Sequence, residues 1–335
     1  MYDTVLLLLG TIGLIYFAAE YFTNALEYLG EKMGVSEGVT GSIFAAIGTA
    51  MPETIVPIVA IVAGGDNVAL NHDVGMGAIL GAPLMLATIA FFLVAITAGI
   101  KRGWSTPLHP EPSGLNRDSI TFFLAYTVVI GASFIPDDRR AFAIAAAVAL
   151  FAIYFIYLTM TILASKNLVE AGHGTEANGP LYFAKYFSSS TLTASGQLLF
   201  ALAILVMSAR LFVDGVASTS NALGIAPIVV ALLLAPLATE LPEKVNSMLW
   251  TARGKDTLAF GNLTGAMVFQ GSIIPGIAML LMPWHFDSIY AMLASALAVM
   301  GALWVFVLQR WLSLTPKFLL LNGLFYVVFI MFVIL

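Results

Sequence analysis

The chain has 335 residues, of which 60% are hydrophobic and only 10% charged, and its mean hydropathy is +0.96. Soluble domains carry roughly 25% charged residues, so this chain cannot cover a water-facing surface and belongs in lipid. The net charge of -5 offers no basic face to nucleic acid, and the absence of cysteine excludes disulfides, Fe–S clusters and thiolate zinc sites.

A helix that crosses a bilayer needs about 20 largely apolar residues. The sequence predicts ten, at roughly 3–29, 37–63, 74–99, 118–135, 140–164, 188–213, 222–252, 256–283, 286–309 and 314–335. The first follows Met1-Tyr2-Asp3, which lacks the basic start of a cleavable signal peptide, so it reads as a span. Most connections are short. The exceptions, 100–117 and 165–187, are polar and rich in Gly, Pro and charge, and the second separates five spans from five. The expected organisation is a first five-helix repeat over 1–165, a linker over 166–187 and a second five-helix repeat over 188–335.

With ten spans, alternate loops share a side. One side collects Lys32, Lys101, Arg102, Arg117, Lys166, Lys185, Arg253, Lys255, Arg310 and Lys317, the other Arg139 and Arg140. That bias places the first side in the cytoplasm, with both termini outside and the plasma (inner) membrane as the expected location. Five spans per half also make the second half enter the membrane from the opposite side.

The halves repeat each other. At an offset of 190, Phe22 matches Phe212, Gly34 Gly224, Val39 Val229, Ala45 Ala235, Thr49 Thr239, Pro52 Pro242, Glu53 Glu243, Gly64 Gly254 and Asp66 Asp256. At an offset of 184, Gly77 matches Gly261, Gly81 Gly265 and Ala82 Ala266. Chance explains some Ala and Val matches, but not a shared Thr-x-x-Pro-Glu in two apolar helices with both flanks in register. The expected fold class is therefore an all-α membrane protein of ten transmembrane helices in two inverted repeats. Such proteins hold substrate near the bilayer midplane, where helices are broken.

Glu53 lies about 16 residues into the second span, and Glu243 is similarly deep in the seventh. A charge at that depth costs on the order of 3 kcal/mol or more unless it is partnered, protonated or solvated. Pro52 and Pro242 lack an N–H, which loosens the carbonyls one turn back. Thr49 and Glu53 lie four apart on one helix face, as do Thr239 and Glu243, with Glu240 three before Glu243. Carboxylate, hydroxyl and freed carbonyl together suit hard cations such as Ca²⁺, Mg²⁺, Mn²⁺ or Na⁺.

Blander readings stand beside this one. A buried Glu can be a structural hydrogen-bond partner, and a Thr in a membrane helix often bonds back to its own helix. Lys244 points about 100° from Glu243 on the helical wheel and either neutralises a neighbouring acid or faces a water path. Asp66 and Asp256 read as solvated caps, and His72, His109, His173 and His285 as loop or span-end residues. Gly75, Gly77, Gly81, Gly261 and Gly265 favour close helix packing. No nucleophile–base pair, P-loop or dinucleotide fingerprint suggests an enzyme.

Gly48-Thr49-Ala50-Met51-Pro52-Glu53 and Ala238-Thr239-Glu240-Leu241-Pro242-Glu243, each followed by a Gly-rich helix, resemble the two α-repeats of the cation/Ca²⁺ antiporter superfamily, the sodium/calcium exchangers and their proton-coupled relatives. The repeat motifs occupy 34–86 and 224–270. The resemblance implies the sodium/calcium exchanger fold and alternating access, with the first and sixth spans sliding across an eight-helix core. It also implies Ca²⁺ traded for Na⁺ or H⁺, with Glu53 and Glu243 as central ligands and Thr49 and Thr239 at the family's Thr positions. The family's third and eighth helices usually add Gly-Ser-Asn-x-x-Asn/Asp; here they read Gly81-Ala82-Pro83-Leu84-Met85-Leu86 and Gly265-Ala266-Met267-Val268-Phe269-Gln270. Only Gln270 keeps an outer oxygen, while Glu240 stands where Ser is common. The expected ligand set is Glu53, Glu243, Glu240, Thr49, Thr239 and Gln270, with no cofactor beyond the transported cation. The expected partners are the lipid bilayer and small inorganic cations, with no nucleic acid and no obligatory protein. H⁺-coupled antiport of Mn²⁺ or Mg²⁺, a non-exchanging cation-binding protein and a passive channel are the rival expectations.

Overall fold

A computed structural model describes residues 2–32, 52–62, 67–169 and 180–334, which are helical or connecting segments with no strand among them. The helices are α1 (Tyr2–Lys32), α2 (Pro52–Val62), α3 (Val68–Arg102), α4 (Pro112–Ala132), α5 (Arg140–Val169), α6 (Thr191–Leu223), α7 (Pro227–Thr239), α8 (Leu241–Ala252), α9 (Asp256–Gln270), α10 (Ile273–Leu281), α11 (Ile289–Trp311), α12 (Pro316–Leu319) and α13 (Leu321–Ile334).

Seven stretches among them are long and apolar enough to cross a membrane: Leu7–Ala25, Val68–Arg102, Arg140–Ala164, Thr191–Leu223, Asp256–Leu281, Ile289–Trp311 and Pro316–Ile334. Two shorter apolar helices, Pro52–Val62 and Pro227–Leu237, carry the Pro-Glu region of each half or lead into it. The ten predicted segments differ from this set for local reasons. The seventh is two helices, because the chain turns at Glu240 (φ -90°, ψ 6°). The fourth, α4, opens on Ser113, Asn116, Arg117 and Asp118 and is too polar in its first turns to join the apolar set. Its start is set by chemistry: Pro112 occupies the first turn, and the Glu111 carboxylate accepts the N–H groups of Ser113 and Gly114.

Two bodies of apolar packing organise the molecule. In one, α1 lies along α6, burying Leu8, Ile15 and Phe22 against Leu205, Phe212 and Val216. In the other, α3 runs past the broken pair, its first half against α7 and its second half against α8. The two halves of α3 are joined by a π-helical turn, Leu86–Ala90. Small residues permit the α3–α7 approach. A Cβ on Gly81 would fall 2.4 Å from the Leu232 carbonyl oxygen, and one on Gly77 would fall 2.6 Å from that of Ile228. The Leu232 carbonyl is also one that Pro236 cannot serve as donor. Gly75 packs against Ile61 of α2.

The glycines of the second half show no such approach among the described residues. A Cβ at Gly261 would meet no described atom within 4 Å, and one at Gly265 meets only the Tyr157 hydroxyl at 3.6 Å. Asp256 departs from expectation. It is not a solvated cap but 4% exposed, held by two hydrogen bonds from the Arg102 guanidinium and one from the His109 N–H. His72 lies in the first turns of α3, its Nε2 2.9 Å from the Pro283 carbonyl oxygen. Asp66 and His173 lie outside the described residues.

Candidate cation site

The site forms where α7 ends. Pro242 has no N–H to offer Ala238, so the helix stops, and a new one, α8, starts at Leu241 with Pro242 in its first turn. Glu240 sits in the joint. Its N–H still reaches the Pro236 carbonyl at 3.0 Å, and its own carbonyl accepts the Lys244 N–H at 3.3 Å. Glu243 follows one turn into α8, where negative charge is favoured by the helix start. Across from them Glu53 stands in the first described turn of α2, directly after Pro52.

These three acids meet. One carboxylate oxygen from each of Glu53, Glu240 and Glu243 can be chosen so that all lie within 4.8 Å of one another. The residues are 4%, 0% and 3% exposed. Both oxygens of Glu53 and Oε2 of Glu240 are buried without a hydrogen-bond donor among the described residues. Buried carboxylates that close, with lone pairs unclaimed, repel each other strongly unless a cation or protons intervene. The group is therefore chemically suited to collect positive charge.

Gln270, the last residue of α9, joins them. Its Nε2 donates to Glu240 Oε1 at 2.5 Å, and its own Oε1 is buried with no donor among the described residues. That leaves an amide oxygen beside the carboxylates as a further hard donor. Thr239 is buried, and its hydroxyl donates to the Ala235 carbonyl at 3.3 Å, the back-bonding that threonine makes inside helices. Its oxygen lone pairs remain free to accept. Thr49, with the rest of 33–51, lies outside the described residues.

Two further residues of the site, Asn262 and Ser247, are not legible in sequence spacing. Asn262 of α9 donates through Nδ2 to the Glu243 carbonyl and to Ser247 Oγ, both at 3.0 Å, while Ser247 donates to the Ala259 carbonyl at 3.1 Å. This buried lattice fastens α8 to α9 and fixes the backbone that carries Glu243. Lys244 is 4% exposed and directs Nζ to the Pro236 carbonyl at 3.1 Å and to Met85 Sδ at 2.8 Å. A separate buried acid, Asp118 of α4, accepts the Thr264 hydroxyl at 2.6 Å, with Arg117 Nε 3.7 Å away.

The sequence matches the sodium/calcium exchanger protein family over residues 3–163 and 193–335, nearly the whole chain. The chain belongs to the sodium/calcium exchanger family. CaxA of Alkalimonas amylolytica is 24% identical over 308 residues, covering 89% of this chain and 88% of its own. Among solved structures, the H⁺/Ca²⁺ exchanger CAX superposes with a TM-score of 0.73 at 17% identity, covering 99% of this chain and 86% of that one. The sodium-calcium exchanger NCX_Mj superposes with a TM-score of 0.57 at 20% identity, covering 98% and 97%. The fold is thus that of the cation/Ca²⁺ antiporters. The chain is an integral, multi-pass membrane protein of a family of transporters rather than enzymes, and its carboxylate cluster has the composition of a metal site.

Proposed function

We propose that this chain is a secondary active antiporter that carries a divalent cation, Ca²⁺ foremost, against Na⁺ or H⁺ by alternating access. One observation carries the reading: Glu53, Glu240 and Glu243, from two separate helices, bring carboxylate oxygens within 4.8 Å of one another in a buried setting. Oxygens on opposite sides of a Ca²⁺ ion, each about 2.3–2.6 Å from it, lie about 4.6–5.2 Å apart, so the spread suits that ion's shell. Glu53, Glu240, Glu243 and Gln270 supply the ligands, joined by Thr239 and Thr49. Na⁺ or protons compete for the same carboxylates, and because both cannot occupy them together, one gradient drives the other.

The wider arrangement we propose is ten spans in two inverted five-helix repeats, 1–165 and 188–335, around a cytoplasmic linker, 166–187. The plasma membrane is the site of action, and both termini face outward. The repeat of Thr-x-x-Pro-Glu at a constant offset and the one-sided Lys and Arg loops support this arrangement.

The test is uptake of radioactive Ca²⁺ into proteoliposomes under an imposed Na⁺ or pH gradient. Uptake is expected with one of the two gradients, and Mn²⁺ and Mg²⁺ tested alongside rank the divalent ions. Glu53→Gln and Glu243→Gln are each expected to drop uptake to the protein-free background while the protein still elutes as a folded species. Normal uptake by both variants would remove the carboxylate site.

A further inference from the structure

The two sides of the cation site are held in place differently. On the Glu243 side, Asn262 of α9 donates through Nδ2 to the Glu243 carbonyl and to Ser247 Oγ, both at 3.0 Å, and the Ser247 hydroxyl donates to the Ala259 carbonyl at 3.1 Å. An asparagine amide has two N–H groups. Both are used here, so the amide is fixed between the two helices. The backbone of α8 is thereby bonded to α9 at the very residue that carries a site carboxylate, and Ser247 at the centre of the network is fully buried. On the Glu53 side the matching positions differ. At the repeat offset of 190 Ser247 matches Pro57, and at the offset of 184 Asn262 matches Ala78. Neither proline nor alanine has a side-chain donor. Where α2 meets α3, Ile61 packs on Gly75, and Val56, Ala60, Val74 and Ala78 share one apolar cluster. Apolar contact is non-directional, so it tolerates a small slip of one helix on another, whereas a hydrogen bond weakens steeply away from its preferred length and angle.

We propose that Asn262 is a positioning residue that holds Glu243 as the fixed wall of the site, with Glu53 as the wall that adjusts, and that this fixed wall makes the site prefer Ca²⁺ to Mg²⁺. This rests on the exchanger reading above. The physical reason is ion size. Oxygens on opposite sides of the ion lie about 4.6–5.2 Å apart around Ca²⁺ and about 4.0–4.2 Å apart around Mg²⁺. Selectivity between the two is decided by cavity size, ligand number and flexibility. Closing the carboxylates onto the smaller ion draws α8 inward, against bonds from Asn262 that already have the favoured length. Asn262 acts on the ion only through the backbone of Glu243.

The experiment titrates Ca²⁺ and Mg²⁺ separately into the purified full chain in detergent. It reads the ratio of the two dissociation constants, beside the melting temperature without divalent ion. Wild type is expected to bind Ca²⁺ more tightly, and a wild type that prefers Mg²⁺ overturns the proposal. Asn262→Leu keeps the side chain's volume and removes both donors. It is expected to lower the preference for Ca²⁺ by about tenfold, the order of a lost hydrogen bond's restraint, with Mg²⁺ bound more tightly than by wild type. Ser247→Ala keeps the amide but removes the hydroxyl that orients it, and is expected to shift the ratio the same way by less. A network that only braced the fold would give a lowered melting temperature and equal weakening of both ions. A ratio at the wild-type value in the folded variants overturns the proposal, and Ser247→Ala decides it if Asn262→Leu does not fold. A wild type that binds neither ion and takes up no Ca²⁺ under any gradient would overturn both this proposal and the exchanger reading. Ca²⁺ uptake that Glu53→Gln abolishes, with an unchanged ratio in the Asn262 and Ser247 variants, would overturn this proposal alone.

Discussion

Glu240 shows how a single residue acquires meaning from a local backbone event. Read along the sequence, it is an acid three positions before Glu243; in the structure it is the joint between α7 and α8, fully buried and bonded to Gln270. The Oε1 of Gln270 is in turn buried with no donor among the described residues. Gln270→Leu should therefore weaken divalent binding by about tenfold, the order of a lost hydrogen bond to a charged group, and calorimetric titration with Ca²⁺ checks it. Unchanged affinity would take Gln270 out of the ligand set. The acids are readable because intramembrane charge is expensive and therefore conspicuous, whereas Gln270 is readable only through the family resemblance. Asn262 and Ser247 were not, since polar residues of that kind are common in helices and only the packing of α9 on α8 brings them under Glu243.

At the scale of the element, the broken helix depends on what lies against it. Gly77 and Gly81 let α3 reach the backbone of α7, and the clash a side chain would meet there is with carbonyl oxygens rather than a flexible side chain. Gly81→Leu should destabilise the folded protein by about 1–3 kcal/mol, the usual cost of overpacking, seen as a lowered melting temperature in detergent. An unchanged melting temperature would contradict the packing described. Sequence spacing reports small size but not which face of a helix meets a partner. The same limit applies to Asp256: its place near a span end suggested exposure, while the fold brings Arg102 and His109 onto it from the far end of α3 and the loop beyond. Broken helices at the Pro-Glu positions were expected from proline chemistry, and α7 and α8 meet that expectation; the corresponding stretch before Pro52 lies outside the described residues.

At the scale of the whole molecule, α1 and α6 lie along each other in an apolar body that also takes in Val56 of α2, Val74 of α3 and Val230 of α7, beside a second body that includes much of α3, α4, α9 and α11. The alternating access proposed above has this pair moving as one piece. The chain has no cysteine, so pairs can be introduced on a clean background. A Cβ at Gly215 would lie 3.6 Å from that of Leu8, within the range a disulfide bridges. Leu8→Cys with Gly215→Cys should crosslink on oxidation and leave Ca²⁺ uptake intact; loss of uptake that reduction restores would show that α1 and α6 slide past each other. The membrane class was legible from composition and the helices from the length of the apolar runs. Where the spans are interrupted was less so, because hydropathy sums over a window and cannot see a turn within it. The π-helical turn of α3 is such a case. There Asn322 of α13 donates to the Ala87 carbonyl at 2.6 Å and the Gly301 carbonyl at 3.0 Å, stitching α3 to α11 and α13. The last helix thereby acts as a splint on the wall that carries Met85, so shortening the chain before Asn322 would loosen the seat of Lys244 from a distance.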